Sequence, residues 1–146
     1  MATKRCIIHP TDFSPAADPA FVKALEVAKN DGAELVLVHV LESVAALSDE
    51  AYLARRLEVR ETSEAVARKG FDLLLARAKE AGVPATDVLV DGWPPDQISE
   101  VARERGAGLI VMGTHGRTGM RKLLIGSVAE RVIALAPCPV LTVRVP

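Results

Sequence analysis

The chain has 146 residues, of which 49% are hydrophobic and 25% are charged, a composition typical of a single globular domain. Its 18 lysine and arginine residues nearly balance its 19 aspartate and glutamate residues, and aromatic residues make up only 3% of the chain. These values argue against the basic field and stacking surfaces of nucleic-acid-binding proteins, and against attraction to an anionic membrane. We therefore expect one domain over residues 1–146, with no nucleic-acid or membrane partner.

The apolar runs and the two cysteines indicate the compartment. No run approaches the roughly 20 apolar residues of a membrane-spanning helix. His9 and Pro10 interrupt the apolar run near the start before a secretory signal could form. A cytoplasmic location is expected. Cys6 and Cys138 lack CxxC spacing and stand among apolar residues, so both are predicted to be small buried side chains.

Short β-branched runs alternate with longer segments of helical period along the chain, which is typical of βαβ units in a parallel α/β sheet. Several of the runs are apolar nearly throughout, as expected for strands that are covered on both faces. The predicted strands, in chain order, are Arg5–His9, Glu34–Val40, Asp87–Val90, Leu109–Met112 and Val140–Val145.

The first two predicted helices connect the first three strands. Ser14 and Pro15 are predicted to be the N-cap and first residue of a helix that ends at Gly32 and buries Phe21, Leu25 and Ala28. A longer helix is predicted from about Asp49 to Ala81. Gly70 inside it predicts a bend or break, because glycine lowers helix propensity by about 1 kcal/mol relative to alanine.

The last two predicted helices flank the fourth strand. The third begins near Pro95 and is expected to bury Ile98, Val101 and Ala102. The fourth begins at Ser127, where Ser127 and Glu130 fit the S-x-x-E capping box that satisfies unpaired backbone donors at a helix start. Its predicted buried residues are Val128, Val132, Ile133 and Leu135.

The connection before the fourth helix, GTHGRTGMRKLLIGS from Gly113 to Ser127, is much longer than the about 2 to 6 residues of most such loops. Its glycines allow a ligand to approach the backbone, and it leads to a helix N-terminus, where unpaired N–H groups favour phosphate. Arg117, Arg121 and Lys122 add positive charge. The alternative is a structural loop with tight glycine turns, a capping Ser127 and solvated basic side chains.

The spacing of the glycines favours the first interpretation. Gly113, two residues, Gly116, nine residues and then Gly126-Ser127 match the pattern G-x2-G-x9-G-[S/T] of ATP-binding universal stress proteins. The chain resembles that family over essentially its whole length, from HPTDFSPAA through LVLVHV to LIVMGTHGRTG and GSVAERVIALAPCPVLTV. Gly108 stands where family members often carry aspartate. The resemblance implies an open five-stranded parallel sheet of order 3-2-1-4-5 with helices on both faces, an adenine nucleotide alpha hydrolase-like fold.

The resemblance also implies a site where HPTDFS and GTHGRTG face each other at a topological switch point and bind ATP, ADP or AMP. Asp12 would contact the ribose hydroxyls, Val40 the adenine through its backbone, and Ser127 a phosphate oxygen. The implied cofactor-binding residues are Pro10, Thr11, Asp12, Val40, Met112, Gly113, His115, Gly116, Arg117, Gly126, Ser127 and Val128. No catalytic residue or metal ligand is assigned, and Mg²⁺ or Mn²⁺ would be carried on the phosphates.

Several polar and aromatic residues have simpler structural roles open to them. Asp12 is of the type that caps a turn after a strand. His115 is either an acid–base group or a solvated loop residue. His9 and His39 are expected to pack or to form hydrogen bonds at strand ends, and Trp93 is expected to cover an edge of the core.

Three functions stay open at this point. The favoured one is a nucleotide-dependent stress-response regulator. The second is a slow ATP hydrolase or phosphotransferase, which the absence of the Walker run GxxxxGK[ST] disfavours. The third is a nucleotide-free dimeric scaffold, which the filled glycine pattern disfavours. The resemblance further implies a homodimer joined through the C-terminal strand Val140–Val145, an edge strand with unpaired backbone groups.

Overall fold

The structure, a computed structural model, describes residues 5–42, 50–115 and 125–145, with the backbone alone for residues 50–53. Strands and helices alternate along these residues, and a 3₁₀ turn at Pro15–Ala17 precedes the first helix. In chain order they are β1 (Cys6–Pro10), α1 (Asp18–Asp31), β2 (Glu34–Leu41), α2 (Glu50–Glu80), β3 (Ala85–Asp91), α3 (Pro94–Glu104), β4 (Leu109–Gly113), α4 (Ser127–Leu135) and β5 (Val140–Val143). None of the helices described is long and apolar enough to span a membrane.

The strands form one parallel sheet in the order β3-β2-β1-β4-β5, which confirms the predicted order 3-2-1-4-5. β1 is central, with Ile8 beside Val36 of β2 and Ile110 of β4. β1 ends at Pro10, whereas β2 continues to Leu41 beside β3. The carboxyl edge of the sheet is therefore uneven, because the end of β1 is set back from the end of β2.

Helices cover both faces of the sheet. On one face Ile7, Leu35 and Leu37 pack with Phe21 of α1 and Phe71 of α2. On the other face the strands pack with α3 and α4, through a cluster that includes Ile8, Val36, Ile98, Ile110 and Val132. Because successive strand residues point to opposite faces, Ile7 and Ile8 belong to different clusters. The neighbouring strands β1 and β4 are consequently followed by helices on opposite sides of the sheet.

The start of α1 differs from the prediction, whereas its end agrees. Ser14 makes no capping hydrogen bond, because its hydroxyl donates to Oδ1 of Asp12 at 2.5 Å. The α-helix begins only at Asp18, after the 3₁₀ turn. Gly32 ends the helix with a φ of +62°, a left-handed conformation that glycine adopts without steric cost. The residues predicted to face inward do so, namely Phe21, Leu25 and Ala28.

α2 runs without interruption from Glu50 to Glu80, so the predicted bend or break at Gly70 is wrong. At 1.5 Å per residue, its 31 residues span about 46 Å. Glycine at position 70 instead makes room for a neighbouring ring. A Cβ there would lie 2.6 Å from Cγ of Phe13, closer than non-bonded carbon atoms approach.

The N-terminus of α4 also differs from the prediction. Gly126 is the N-cap, and as a glycine it has no side chain to form a capping hydrogen bond. Ser127 is already the first helical residue, so the predicted capping box of Ser127 and Glu130 is wrong. Val132 is buried as predicted, but Ile133 is 47% exposed, because consecutive helical residues point about 100° apart.

Three smaller predictions are corrected. Trp93 is 60% exposed at the N-cap of α3 and does not cover the core, and Cys138 is only half-buried, whereas Cys6 is buried. β5 ends at Val143, beside Gly113 at the end of β4, rather than at Val145. The prediction for α3 is confirmed, since its buried residues include Ile98, Val101 and Ala102.

His9 is fully buried between the sheet and α1, where its ring lies 5.7 Å from the ring of Phe21. Its Nδ1–H donates to the carbonyl of Val111 on β4 at 2.8 Å, and its Nε2 has no hydrogen-bond partner among the described residues. Burial disfavours the charged imidazolium and lowers the pKa of His9 from 6.5 to about 4, although the bond to Val111 opposes this shift. The folded protein therefore holds His9 neutral at pH 7.

This lowered pKa predicts a loss of stability in mild acid. Between pH 6.5 and about 4 the unfolded chain binds a proton at His9 and the folded chain does not, so the free energy of unfolding falls as the pH is lowered through that window. By about pH 4 the loss in the free energy of unfolding from His9 alone reaches about 3 kcal/mol. Urea unfolding at stepped pH values should show this fall in the wild type and a weaker fall in His9→Asn, whose amide can still donate to Val111.

Because acid also affects stability through groups other than His9, the quantity that tests His9 is the difference between the two curves. If the wild type and His9→Asn lose stability in parallel from pH 6.5 to 4, the buried imidazole is not the cause.

Candidate functional site

The candidate site lies at the carboxyl edge of the sheet, where β1 and β4 end side by side. The pairing of Ile8 with Ile110, continued along the strands, places Pro10 level with Met112 and Thr11 level with Gly113. β2 continues past this level on the other side of β1, through Val40. Residues that are far apart in the sequence are thus brought to one edge, as expected at a topological switch point.

The loop after β1 is held by hydrogen bonds to β2. The N–H of Thr11 donates to the carbonyl of Val38 at 2.9 Å, and Nδ1–H of His39 donates to the carbonyl of Thr11 at 2.7 Å. The hydroxyl of Thr11 accepts from the N–H of Phe13 at 3.0 Å. His39 therefore does form a hydrogen bond at a strand end, as predicted, and Thr11 is buried with its backbone fixed.

Asp12 forms an Asx turn in this loop. Its Oδ1 accepts from the N–H of Ser14 at 2.9 Å and from the hydroxyl of Ser14 at 2.5 Å. The side chain is half-buried. The turn-forming role considered for Asp12 is thus present, and the carboxylate has a defined orientation at the edge of the sheet.

Gly113 brings the loop after β4 against the loop after β1. A Cβ on Gly113 would lie 3.5 Å from the carbonyl oxygen of His115 and 3.6 Å from that of Ala16 in the 3₁₀ turn. Those are ordinary contact distances, so the protein itself tolerates a methyl group at this position. The two loops singled out in the sequence face each other across the α-carbon of Gly113.

Gly126 connects this loop to α4. Its N–H donates to the carbonyl of Thr114 at 2.6 Å, and a Cβ on it would lie only 2.8 Å from the same carbonyl oxygen. Thr114 is buried, and its N–H donates to the carbonyl of Val143 on β5. A side chain at position 126 would therefore push apart the loop and the helix. This glycine is required by the fold itself, whatever the ligand.

The N-terminus of α4 has the chemistry of an anion site. The N–H of Glu130 donates to the carbonyl of Gly126 at 3.0 Å and closes the first turn of the helix. The N–H groups of Ser127, Val128 and Ala129 precede that bond, and the N-cap residue Gly126 has no side chain that could cap them. Backbone donors at this position and the positive end of the helix dipole favour phosphate and carboxylate groups.

The remaining predicted site residues divide into three groups. Met112 is buried, whereas Val40 and Val128 are half-buried and pack against the same cluster, so these three contribute side chains to the core and backbone to the edge. Ser127 is exposed and His115 half-buried, with Thr114 Oγ1 3.0 Å from Nδ1 of His115. Gly116, Arg117 and the basic residues Arg121 and Lys122 lie outside the described residues.

Within the described parts of the chain, no group of three or more His, Cys, Asp or Glu side chains is placed to hold a metal ion. Sequence analysis missed one residue beside Asp12: Phe13 has a φ of +62°, which bulky residues rarely adopt. The sequence feature that could have pointed to Phe13 is Gly70, a glycine inside a long predicted helix, since that glycine accommodates the ring of Phe13.

Comparisons with known proteins agree with this geometry. The family model of the universal stress protein family matches residues 5–144. A universal stress protein of Methanocaldococcus jannaschii is 36% identical over 140 residues, which cover 96% of this chain and 82% of that protein. The solved structure of universal stress protein UspA from Lactobacillus plantarum has a TM-score of 0.88 at 25% identity and covers 99% of this chain and 100% of its own.

A universal stress protein solved in complex with cAMP has a TM-score of 0.68 at 26% identity, and the match covers 99% of this chain and 100% of that one. The sheet order, the paired loops at its carboxyl edge and the match along nearly the whole sequence lead to one assignment. The chain belongs to the universal stress protein family.

Proposed function

We propose that this chain binds ATP at the carboxyl edge of β1 and β4 and acts as a nucleotide-dependent regulator in the stress response. The observation that carries the proposal is the N-terminus of α4, where the N-cap residue Gly126 has no side chain to cap the helix and joins it to the loop that faces Ala16. Phosphate groups satisfy such backbone donors. The likeness to a family member solved with cAMP supports an adenine nucleotide as the ligand.

Different residues contact the three parts of the nucleotide in this proposal. Asp12, with its oriented carboxylate, receives the ribose hydroxyls, and the backbone at Val40 receives the adenine. The phosphates approach Gly113 and the first N–H groups of α4, where the hydroxyl of Ser127 adds a donor. Mg²⁺ or Mn²⁺ accompanies ATP through its phosphate oxygens. Occupancy then shifts the protein between states that bind a partner differently, which is how a ligand regulates.

Gly113→Ala is the direct test of the phosphate contact. The methyl group fits the protein, at 3.5 Å from the carbonyl of His115 and 3.6 Å from that of Ala16, but it narrows the space between the two loops into which we propose that phosphate enters. We expect ATP affinity to fall at least about tenfold, a cost of roughly 1.4 kcal/mol, with an unchanged melting temperature. Calorimetric titration with ATP and magnesium, together with thermal unfolding, measures both quantities.

Gly108→Ala is the matched control, because nothing lies within 4 Å of a Cβ at that position. Gly126→Ala is unsuitable as a binding test, since its Cβ would collide with the carbonyl of Thr114 and destabilise the fold. Retention of wild-type ATP affinity in Gly113→Ala would contradict the proposed phosphate contact. Phosphate release in the same samples, compared with protein-free solution, separates a binder from a slow hydrolase.

Asp12→Asn tests the ribose contact. Asparagine keeps the Oδ1 acceptor that orders the Asx turn but removes the negative charge that attracts hydroxyl donors. ATP affinity should fall about tenfold, within the range for a lost charge-assisted hydrogen bond. The affinity for 2′,3′-dideoxy-ATP should stay within about twofold of wild type, because that nucleotide has no ribose hydroxyls to lose. Equal losses of affinity for both nucleotides would contradict a contact between Asp12 and the ribose hydroxyls.

We also propose a homodimer that pairs the β5 edges of two copies. The carbonyl of Pro139 accepts a bond from Ile110 of β4, and that of Val143 accepts one from Thr114, which follows β4. The backbone groups of Val140 and Thr142 therefore point away from the sheet. Leu141 on β5 is 38% exposed, and Ile133 on α4, the helix that precedes β5, is 47% exposed. An edge strand with apolar neighbours favours pairing with a second copy.

Thr142→Pro should produce a monomer. Proline removes an outward N–H without removing a bond to β4, and proline is tolerated at sheet edges. Light scattering after size exclusion should give twice the chain mass for wild type and for the control Thr142→Val, and the mass of one chain for Thr142→Pro. A dimer that persists in the proline variant would exclude β5 pairing.

A further inference from the structure

Phe13 combines a strained backbone with a tightly held ring. Its φ of +62° is the only positive value among non-glycine residues in the described ranges. For a bulky side chain this conformation has a steric cost, and it persists only where the surroundings hold it. The residue directly follows Asp12 at the edge of the sheet, so the strained turn belongs to the proposed nucleotide site.

The ring of Phe13 is held by three neighbours. It lies 4.7 Å from the ring of His39 on β2 and 5.1 Å, edge to face, from the ring of Phe71 on α2. The third neighbour is the backbone of α2 at Gly70, where a Cβ would lie 2.6 Å from Cγ and 2.7 Å from Cε1 of the ring. The ring therefore sits in a notch of α2 that any side chain at position 70 would fill.

The backbone on both sides of the ring is fixed by short-range hydrogen bonds. The N–H of Phe13 donates to Oγ1 of Thr11, and the N–H and hydroxyl of Ser14 donate to Oδ1 of Asp12. The second pair of bonds closes a tight turn around Phe13, and the left-handed conformation of Phe13 is part of that turn. The orientation of the Asp12 carboxylate thus depends on a turn that the ring secures.

We propose that Phe13, seated in the Gly70 notch of α2, is a positioning residue that fixes the carboxylate of Asp12 for the ribose of the bound nucleotide. The inference rests on the proposed function, because it assigns the ribose to Asp12. It adds to that function a mechanical connection between α2 and the nucleotide. Simple core packing does not explain the strained turn, since an unstrained backbone can also bury a phenylalanine.

Gly70→Ala is the first test, because it changes neither Phe13 nor Asp12. In a helix interior this substitution normally stabilises a protein. Here the added methyl group displaces the ring, so we expect a lower melting temperature. ATP affinity should fall about tenfold, within the range of coupling energies between residues in contact, here position 70 and Phe13. The affinity for 2′,3′-dideoxy-ATP should stay within about twofold of wild type. Gly108→Ala serves again as the control.

A double-mutant cycle with Phe13→Ala shows whether the effect passes through the ring. In the Phe13→Ala background the notch is empty, so Gly70→Ala should change ATP affinity less than about twofold. Phe13→Ala alone should reduce the preference for ATP over the dideoxy nucleotide as Gly70→Ala does. If Gly70→Ala does not fold, Phe13→Ala alone tests the positioning role. Additive losses in the double variant would overturn the notch mechanism.

Hydrogen exchange of the Ser14 amide, measured without nucleotide, distinguishes this inference from the proposed function. The amide should exchange faster in Gly70→Ala than in wild type and Gly108→Ala, because its bond to Asp12 is weakened. Unchanged exchange, or equal affinity losses for both nucleotides, overturns the positioning role. A wild type that fails to bind ATP contradicts the proposed function, and with it the ribose role, whatever the exchange result.

Discussion

The parallel pairing of β1 with β4 is the constraint on which the candidate site depends. These strands are not consecutive in the chain, and the helices that follow them, α1 and α4, pack on opposite faces of the sheet. The chain therefore leaves the sheet in opposite directions from two adjacent strand ends, which is the arrangement where open α/β sheets bind their ligands. Asp12, Gly113 and the N-terminus of α4 lie together at this edge because of that topology, before any ligand chemistry is considered.

Much of this fold could be predicted from the sequence, because the strongest signals there are the ones that burial imposes. Apolar runs indicated every strand, and Gly32 marked a helix end where its left-handed conformation is required. The capping predictions at Ser14 and Ser127 were wrong for a physical reason. A serine hydroxyl forms a bond with whichever partner the tertiary structure brings near, and for Ser14 that partner is Asp12.

The interpretation of Gly70 was wrong for a related reason. Helix propensity is a local quantity, and it predicted a break where a ring from a distant loop needs space. The left-handed turn at Phe13 could not be predicted either, since no local pattern favours a phenylalanine there. Gly113 and Gly126 belong to the same sequence motif, but they differ in the space that the fold leaves for a side chain. Position 126 must be glycine for the fold, whereas position 113 has room for a methyl group.

The fit of Phe13 into α2 has a consequence for how such sequences change over time. A side chain that arises at position 70 while the ring occupies the notch displaces the ring and costs stability, so a prior change of Phe13 to a smaller residue makes that step easier. Once a side chain fills position 70, the notch has no space for a ring to return at position 13. The two positions form an evolutionary ratchet, in which the order of substitutions decides which descendants keep Asp12 in its present turn.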